Sequence, residues 1–139
     1  MWRALILVAS CLLSSCATPP KVHEFDREWA LGFSDEEAWH ATVQMFAERG
    51  WPIATMDRTS GIIATEWLTL AGLEEPCDCG GSGLAIAHHQ EGRFNVYIRG
   101  TGPGCTVTVN TNFREDRSIH GSCGYAPCTS TGKVLRWMK

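Results

Sequence analysis

Seven cysteines give this 139-residue chain its widest chemical range, and their spacing sorts them by fate. Cys16 closes the stretch Leu13-Ser14-Ser15-Cys16, small residues ending in a thiol. That pattern reads as a bacterial lipobox, in which the thiol is lipidated and the Cys16 amine becomes the new N-terminus. Cys11 lies upstream and would leave with the signal. The other five are Cys77, Cys79, Cys105, Cys123 and Cys128. In an exported protein the default fate of such thiols is disulfide formation, because the compartment is oxidising. Five thiols allow at most two bridges. Cys105 has the parity of a core position on its strand and is expected to stay a buried free thiol. Cys77 and Cys79 are then left to pair with Cys123 and Cys128. The first expected bridge is Cys79 to Cys128, which closes a loop of about 50 residues and contributes roughly 3–4 kcal/mol by restricting the unfolded chain. Cys77 to Cys123 is the second choice.

A metal site is the competing chemistry. Cys77-x-Cys79 with His88-His89 offers soft sulfur and imidazole donors for zinc or copper. The spacing is not the C-x-x-C of common zinc sites, and adjacent histidines on an extended segment point to opposite faces. Metal binding at Cys77, Cys79, His88 and His89 is therefore the weaker alternative. No cofactor is expected beyond the covalent lipid on Cys16.

Catalytic motifs fare worse. Gly80-Gly81-Ser82-Gly83 is not a nucleophile elbow, since G-x-S-x-G would need glycine where Leu84 stands. Gly102-Pro103-Gly104 lacks the third glycine of a dinucleotide fingerprint and lies between two strands. No C-x-x-C supports thioredoxin-like exchange. Asp35-Glu36-Glu37 opens a helix, where the dipole accounts for the acids without catalysis. No catalytic residue and no small-molecule substrate is inferred. With Arg3 removed, 11 basic residues face 15 acidic ones, a net charge of −4. That leaves no basic footprint for nucleic acid.

The elements that must position these residues begin with the signal. Ala4 to Leu13 is an apolar run of the length of a signal-peptide core and too short to span a bilayer. Residues 1–15 are read as the lipoprotein signal peptide, and 16–33 as the lipidated cysteine and a tether opened by Pro19-Pro20. Trp29 to Phe33 is apolar enough to add a short strand or packed lead-in. Residues 34–139 are read as one domain, long enough for a single core.

Its helix is expected over Asp35–Arg49. Ser34 and Glu37 form a capping box, Gly50 stands at the stop, and Trp39, Val43 and Phe46 recur on one face. Two hairpins follow. Trp51 to Met56 pairs with Ile62 to Leu70, with Ile63, Thr65 and Trp67 expected on the core side. The strand containing Phe94, Val96 and Ile98 pairs with Cys105 to Phe113. Ala71 to Glu91 and Arg114 to Ser130 read as irregular loops. A short C-terminal helix, capped by Ser130, carries Val134, Leu135 and Met138. The expected fold is thus α+β: an antiparallel sheet of about four strands packed against one main helix.

Several of these pieces together resemble a known family. Ala38-Trp39, Gly50-Trp51-Pro52-Ile53, Asp57 with Gly61-Ile62-Ile63-Ala64-Thr65-Glu66-Trp67, and Cys128-Thr129-Ser130-Thr131-Gly132-Lys133 are similar to small proteobacterial lipoproteins related to BamC. BamC is a peripheral lipoprotein of the outer-membrane β-barrel assembly machinery. The resemblance spans roughly residues 34–139. It implies a helix-grip-like domain with no catalytic residues to carry over. Ala17 after the cysteine, within that class, implies the outer membrane, facing the periplasm. The expectation is a lipid-anchored, non-catalytic accessory or structural protein with an envelope protein as partner, extending to outer-membrane protein assembly.

Overall fold

The computed structural model describes residues 17–137, so the signal, the lipobox and Cys16 lie outside the described residues. The chain runs β1 (Glu28–Leu31), α1 (Asp35–Glu48), β2 (Ile53–Asp57), β3 (Ile62–Thr65), β4 (Leu68–Thr69), β5 (Cys77–Asp78), β6 (Ile86–Gly100), β7 (Cys105–Ile119) and β8 (Ser122–Ser130). It ends in a 3-10 helix, Lys133–Trp137. The strands form one 8-stranded sheet in the order β2-β3-β6-β7-β8-β5, with β1 also paired to β7 and β4 to β6. Every pairing is antiparallel.

The expected sheet of about four strands is therefore corrected: among the described residues one α-helix does lie against a sheet, but the sheet has eight strands. The difference lies in the two stretches read as loops. β6 and β7 are 15 residues each and pair from Gly100↔Cys105 out to Ile86↔Ser118. Beyond them Ile119↔Ser122 closes a second hairpin, which returns as β8 to Phe113↔Cys128. The turn between β7 and β8 has only two residues, His120 (φ 49) and Gly121 (φ 84). Positive φ at both central positions is the tight-hairpin geometry whose backbone twist matches the flanking strands.

The helix starts where Ser34 and Glu37 place it. The Glu37 backbone N–H donates to Ser34 Oγ (3.2 Å), and the Ser34 backbone N–H donates to Glu37 Oε2 (2.9 Å). The Ser34 N–H and the Ser34 hydroxyl, both donating to Glu37 Oε2, hold the Glu37 carboxyl below its ordinary range. Helix α1 ends at Glu48, with Arg49 as its cap. Ala38, Trp39 and Phe46 are its buried face, set against β6 and β7. The core continues through Ile63, Phe94, Val96, Ile98, Val109 and Phe113, with Trp51 stacked on Phe94 at 5.0 Å between centroids.

Two further expectations change. Ile63 and Thr65 are buried, but Trp67 is not on the core side. β3 stops at Thr65 and pairing resumes in β4 with Leu68↔Gly92, so the parity slips by one and Leu68 and Leu70 fill the core instead. Trp67 turns to the opposite face, under the guanidinium groups of Arg93 and Arg114. At the C-terminus Val134 and Leu135 are buried as an apolar plug, carried on a 3-10 turn rather than an α-helix. Five residues are too few for a stable α-helix, and Gly132 with φ 76 ends the strand abruptly before them.

Candidate functional site

β5 and β8 bring three sulfurs together. Cys77 lies opposite Ser130, and Cys79 follows two residues later on the same side of an extended segment. β8 delivers Cys128 two residues before Ser130. Cys79 and Cys128 are joined by a disulfide, with Cα atoms 4.2 Å apart and a sequence separation of 49. Cys77 remains a thiol, and its Sγ lies 3.7 Å from Cys79 Sγ. The three sulfurs lie within 4.8 Å of one another.

A buried polar chain supports them. The Cys77 thiol donates to Gln90 Oε1 (3.4 Å), and Gln90 Nε2 donates to Glu115 Oε2 (3.2 Å). Arg117 Nε donates to Glu115 Oε1 (2.7 Å), while its Nη2 donates to the Cys79 carbonyl (2.6 Å). Glu115 is thus compensated although it is buried, as a carboxylate in a core must be. Burial, and then the negative charges of Glu115 and Asp78, push the Cys77 thiol up to about 12. It is held protonated and hydrogen-bonded at neutral pH.

The N-terminal segment lies against this corner as a strap. The Gly81 N–H donates to both Thr18 O (2.9 Å) and Thr18 Oγ1 (2.7 Å), and the Lys21 N–H donates to Asp78 Oδ2 (3.3 Å). The Thr129 hydroxyl donates to the Lys21 carbonyl, and His23 Nε2 is 3.5 Å from Asp78 Oδ2. Asp78 also accepts the Gly80 N–H at 2.8 Å, and these bonds hold its carboxyl below the ordinary range. Gly80 is required here, because its φ is +67 and a Cβ would stand 2.1 Å from Thr18 O.

The second-choice bridge and the mixed metal set do not assemble. Cys123 lies opposite Ser118 near the hairpin tip, whereas Cys77 lies opposite Ser130. Seven residues of strand separate the two positions, roughly 23 Å at 3.3 Å per residue, far beyond disulfide reach. Cys123 is exposed and unbridged, and Cys105 is a fully buried thiol that burial pushes up. His88 Nε2 meets Ser118 Oγ at 2.8 Å, and His89 lies 3.5 Å from Glu91 and 3.8 Å from Asp116. A bulge between Ala87 and Gln90 turns both histidines toward Ser118 and Asp116. Those positions alternate along β7 with Glu115 and Arg117, which lie beneath the sulfurs. Neither histidine therefore belongs to the sulfur group; Cys128 takes the third position.

On the face of the sheet away from α1, the Arg114 guanidinium lies 3.9 Å from the Trp67 ring centroid and 3.8 Å from that of Tyr125. Its Nε donates to Glu91 Oε2 at 2.6 Å. Tyr97, Ile62 and Tyr125 on the same face are exposed. Gln90, Glu115, Arg117, Arg114 and Tyr125 were not singled out by the sequence. The signal for Glu115 and Arg117 was their parity, which continues that of Val109 and Phe113 along one strand. No protein-family model matches this chain, and no curated protein matches it.

Proposed function

We propose that this chain is a lipid-anchored envelope protein, attached through Cys16 and facing the periplasm, that binds a partner protein and catalyses no reaction. The observation that carries the reading is the outer face of the sheet, where Arg114 is sandwiched between Trp67 and Tyr125, and where Tyr97 and Ile62 are exposed farther along the strands. Aromatic and arginine side chains held rigid on an exposed face are the residues that concentrate binding energy in protein interfaces. The Cys79–Cys128 bridge suits an oxidising compartment. The polar groups around the sulfurs are paired with one another, an arrangement that supports structure more than turnover. The partner would be an envelope protein, with the outer-membrane assembly machinery as the class to examine first.

A photo-crosslinking residue at Tyr125 in membrane-bound protein should capture one discrete envelope protein. Capture should drop at least tenfold with Arg114→Ala. Equal capture from Lys133, which lies away from the Trp67–Arg114–Tyr125 stack, would overturn the binding face. Cys16→Ala should abolish globomycin-sensitive processing and move the protein out of the membrane fraction. Normal maturation of that variant would overturn the anchor.

A further inference from the structure

We infer that Cys77, Cys79 and Cys128 form a thiol–disulfide exchange site in which the bridge passes from Cys79–Cys128 to Cys77–Cys79, leaving Cys128 as a reactive thiol. A lone buried thiol would call for no such role, but Cys77 lies 3.7 Å from a bridged sulfur and all three sulfurs lie within 4.8 Å. The step needs no outside oxidant or reductant. Cys77 gives its proton to water, and its sulfur forms a bond to Cys79 Sγ. The electron pair of the Cys79–Cys128 bond leaves on Cys128 Sγ, which takes a proton back from water. One disulfide and one thiol exist before and after, so oxidation state is conserved.

The surroundings fit both ends of the step. Cys77 and Cys79 project to the same side of β5 and its continuation, and two extended residues span about 7 Å, at the upper edge of disulfide range. A slight tightening at the Asp78–Gly80 turn, where β5 ends, brings them within it. At the other end the Ala126 carbonyl lies 3.6 Å from Cys128 Sγ, placed to accept the new S–H. Cys128 lines an open groove with Val22, His23, Phe25 and Thr129, where a disulfide or an electrophile would meet the freed thiol. In-line attack would set the outer sulfurs about 6 Å apart, so Cys77 must rotate about χ1 before it reacts. The resting structure therefore holds the exchange slow. Neither the partner nor the anchor takes part in the exchange.

The test uses the oxidised, exported protein without added thiol, held at pH 7 and at pH 9, alkylated with N-ethylmaleimide and mapped by mass spectrometry without reduction. A Cys77–Cys79 peptide should accumulate in step with labelling of Cys128. Labelling of Cys128 should fall at least tenfold in both Cys77→Ser and Cys77→Ala, while exposed Cys123 labels as before. Mapping of the Cys79–Cys128 bridge in those variants shows that they have folded. As an independent arm, Cys128→Ser incubated with oxidised glutathione should form Cys77–Cys79. Three results would each overturn the inference: Cys128 labelling that is unaffected by loss of Cys77, no Cys128 labelling in the native sequence at pH 9, or a Cys77–Cys128 product in place of Cys77–Cys79.

Discussion

The three sulfurs differ in what each contributes, and two measurements separate them. Cys79 and Cys128 close a loop of 49 residues, so Cys79→Ser should lower the unfolding free energy by about 4 kcal/mol, read from denaturant midpoints under non-reducing conditions. A loss below 1 kcal/mol would mean that the unfolded chain is already constrained there. Cys77 acts through its proton. Its thiol is raised from the ordinary 9.0 to about 12 by burial, then by Glu115 on β7 and Asp78 on β5. A group raised on folding contributes stability that is fully present below its unfolded value. That contribution should hold to about pH 9, decline above it and be gone near pH 12. Cys77→Ala should flatten that part of the alkaline stability curve relative to the native sequence. Parallel curves would show that Cys77 does not govern it. Of this site the sequence made the cysteines and their first pairing visible. The polar chain through Gln90, Glu115 and Arg117 was hidden, because it depends on the register of two strands that did not look like strands.

At the scale of elements, legibility followed local chemistry. Helix α1 was readable because Ser34 and Glu37 cap it and Trp39 and Phe46 share its buried face. The distal half of β7 was not, because Arg114-Glu115-Asp116-Arg117 carries no apolar signal. It is a strand because alternate charges are spent in pairs, Arg117 with Glu115 below and Arg114 with Glu91 above. β8 contains Gly124 and Pro127, residues that usually argue against a strand, and Pro127 lies opposite Arg114 at the partner side of β7. The tight turn was hidden because His120-Gly121 is not the Asn-Gly or Asp-Gly pair that marks such turns. This suggests a direct check. His120→Asn should raise stability by roughly 0.5–1 kcal/mol, since asparagine tolerates positive φ better than histidine. Loss of stability on that change would mean that the turn has another geometry. Trp67 shows a further cause of misreading: an aromatic residue next to a buried run reads as core, but a one-residue slip between β3 and β4 sends it to the other face.

Over the whole molecule, the N-terminal segment read as a tether is bound along the β5–β8 corner before it enters the sheet as β1. Gly80→Ala should detach its first part, because a Cβ would meet Thr18 O at 2.1 Å and Pro19 and Pro20 at 2.8 Å. Trypsin cleavage after Lys21 should then accelerate at least tenfold with the Cys79–Cys128 bridge intact. An unchanged rate would show that the strap is held from Lys21 onward alone. The docked strap also sets a distance. If Cys16 carries the proposed anchor, residues 17–27 lying along the domain would keep it close against the bilayer. Peeling those residues would pay out about 35–40 Å of extended chain before β1 resisted. The bonds at Thr18, Lys21 and Thr129 would give way first, ahead of the Phe25 packing and the bond from the Val109 N–H to the Arg27 carbonyl. On the proposed anchor the same segment would serve as a short leash when docked and a long one when drawn out, and a distant partner could be met without unfolding the sheet.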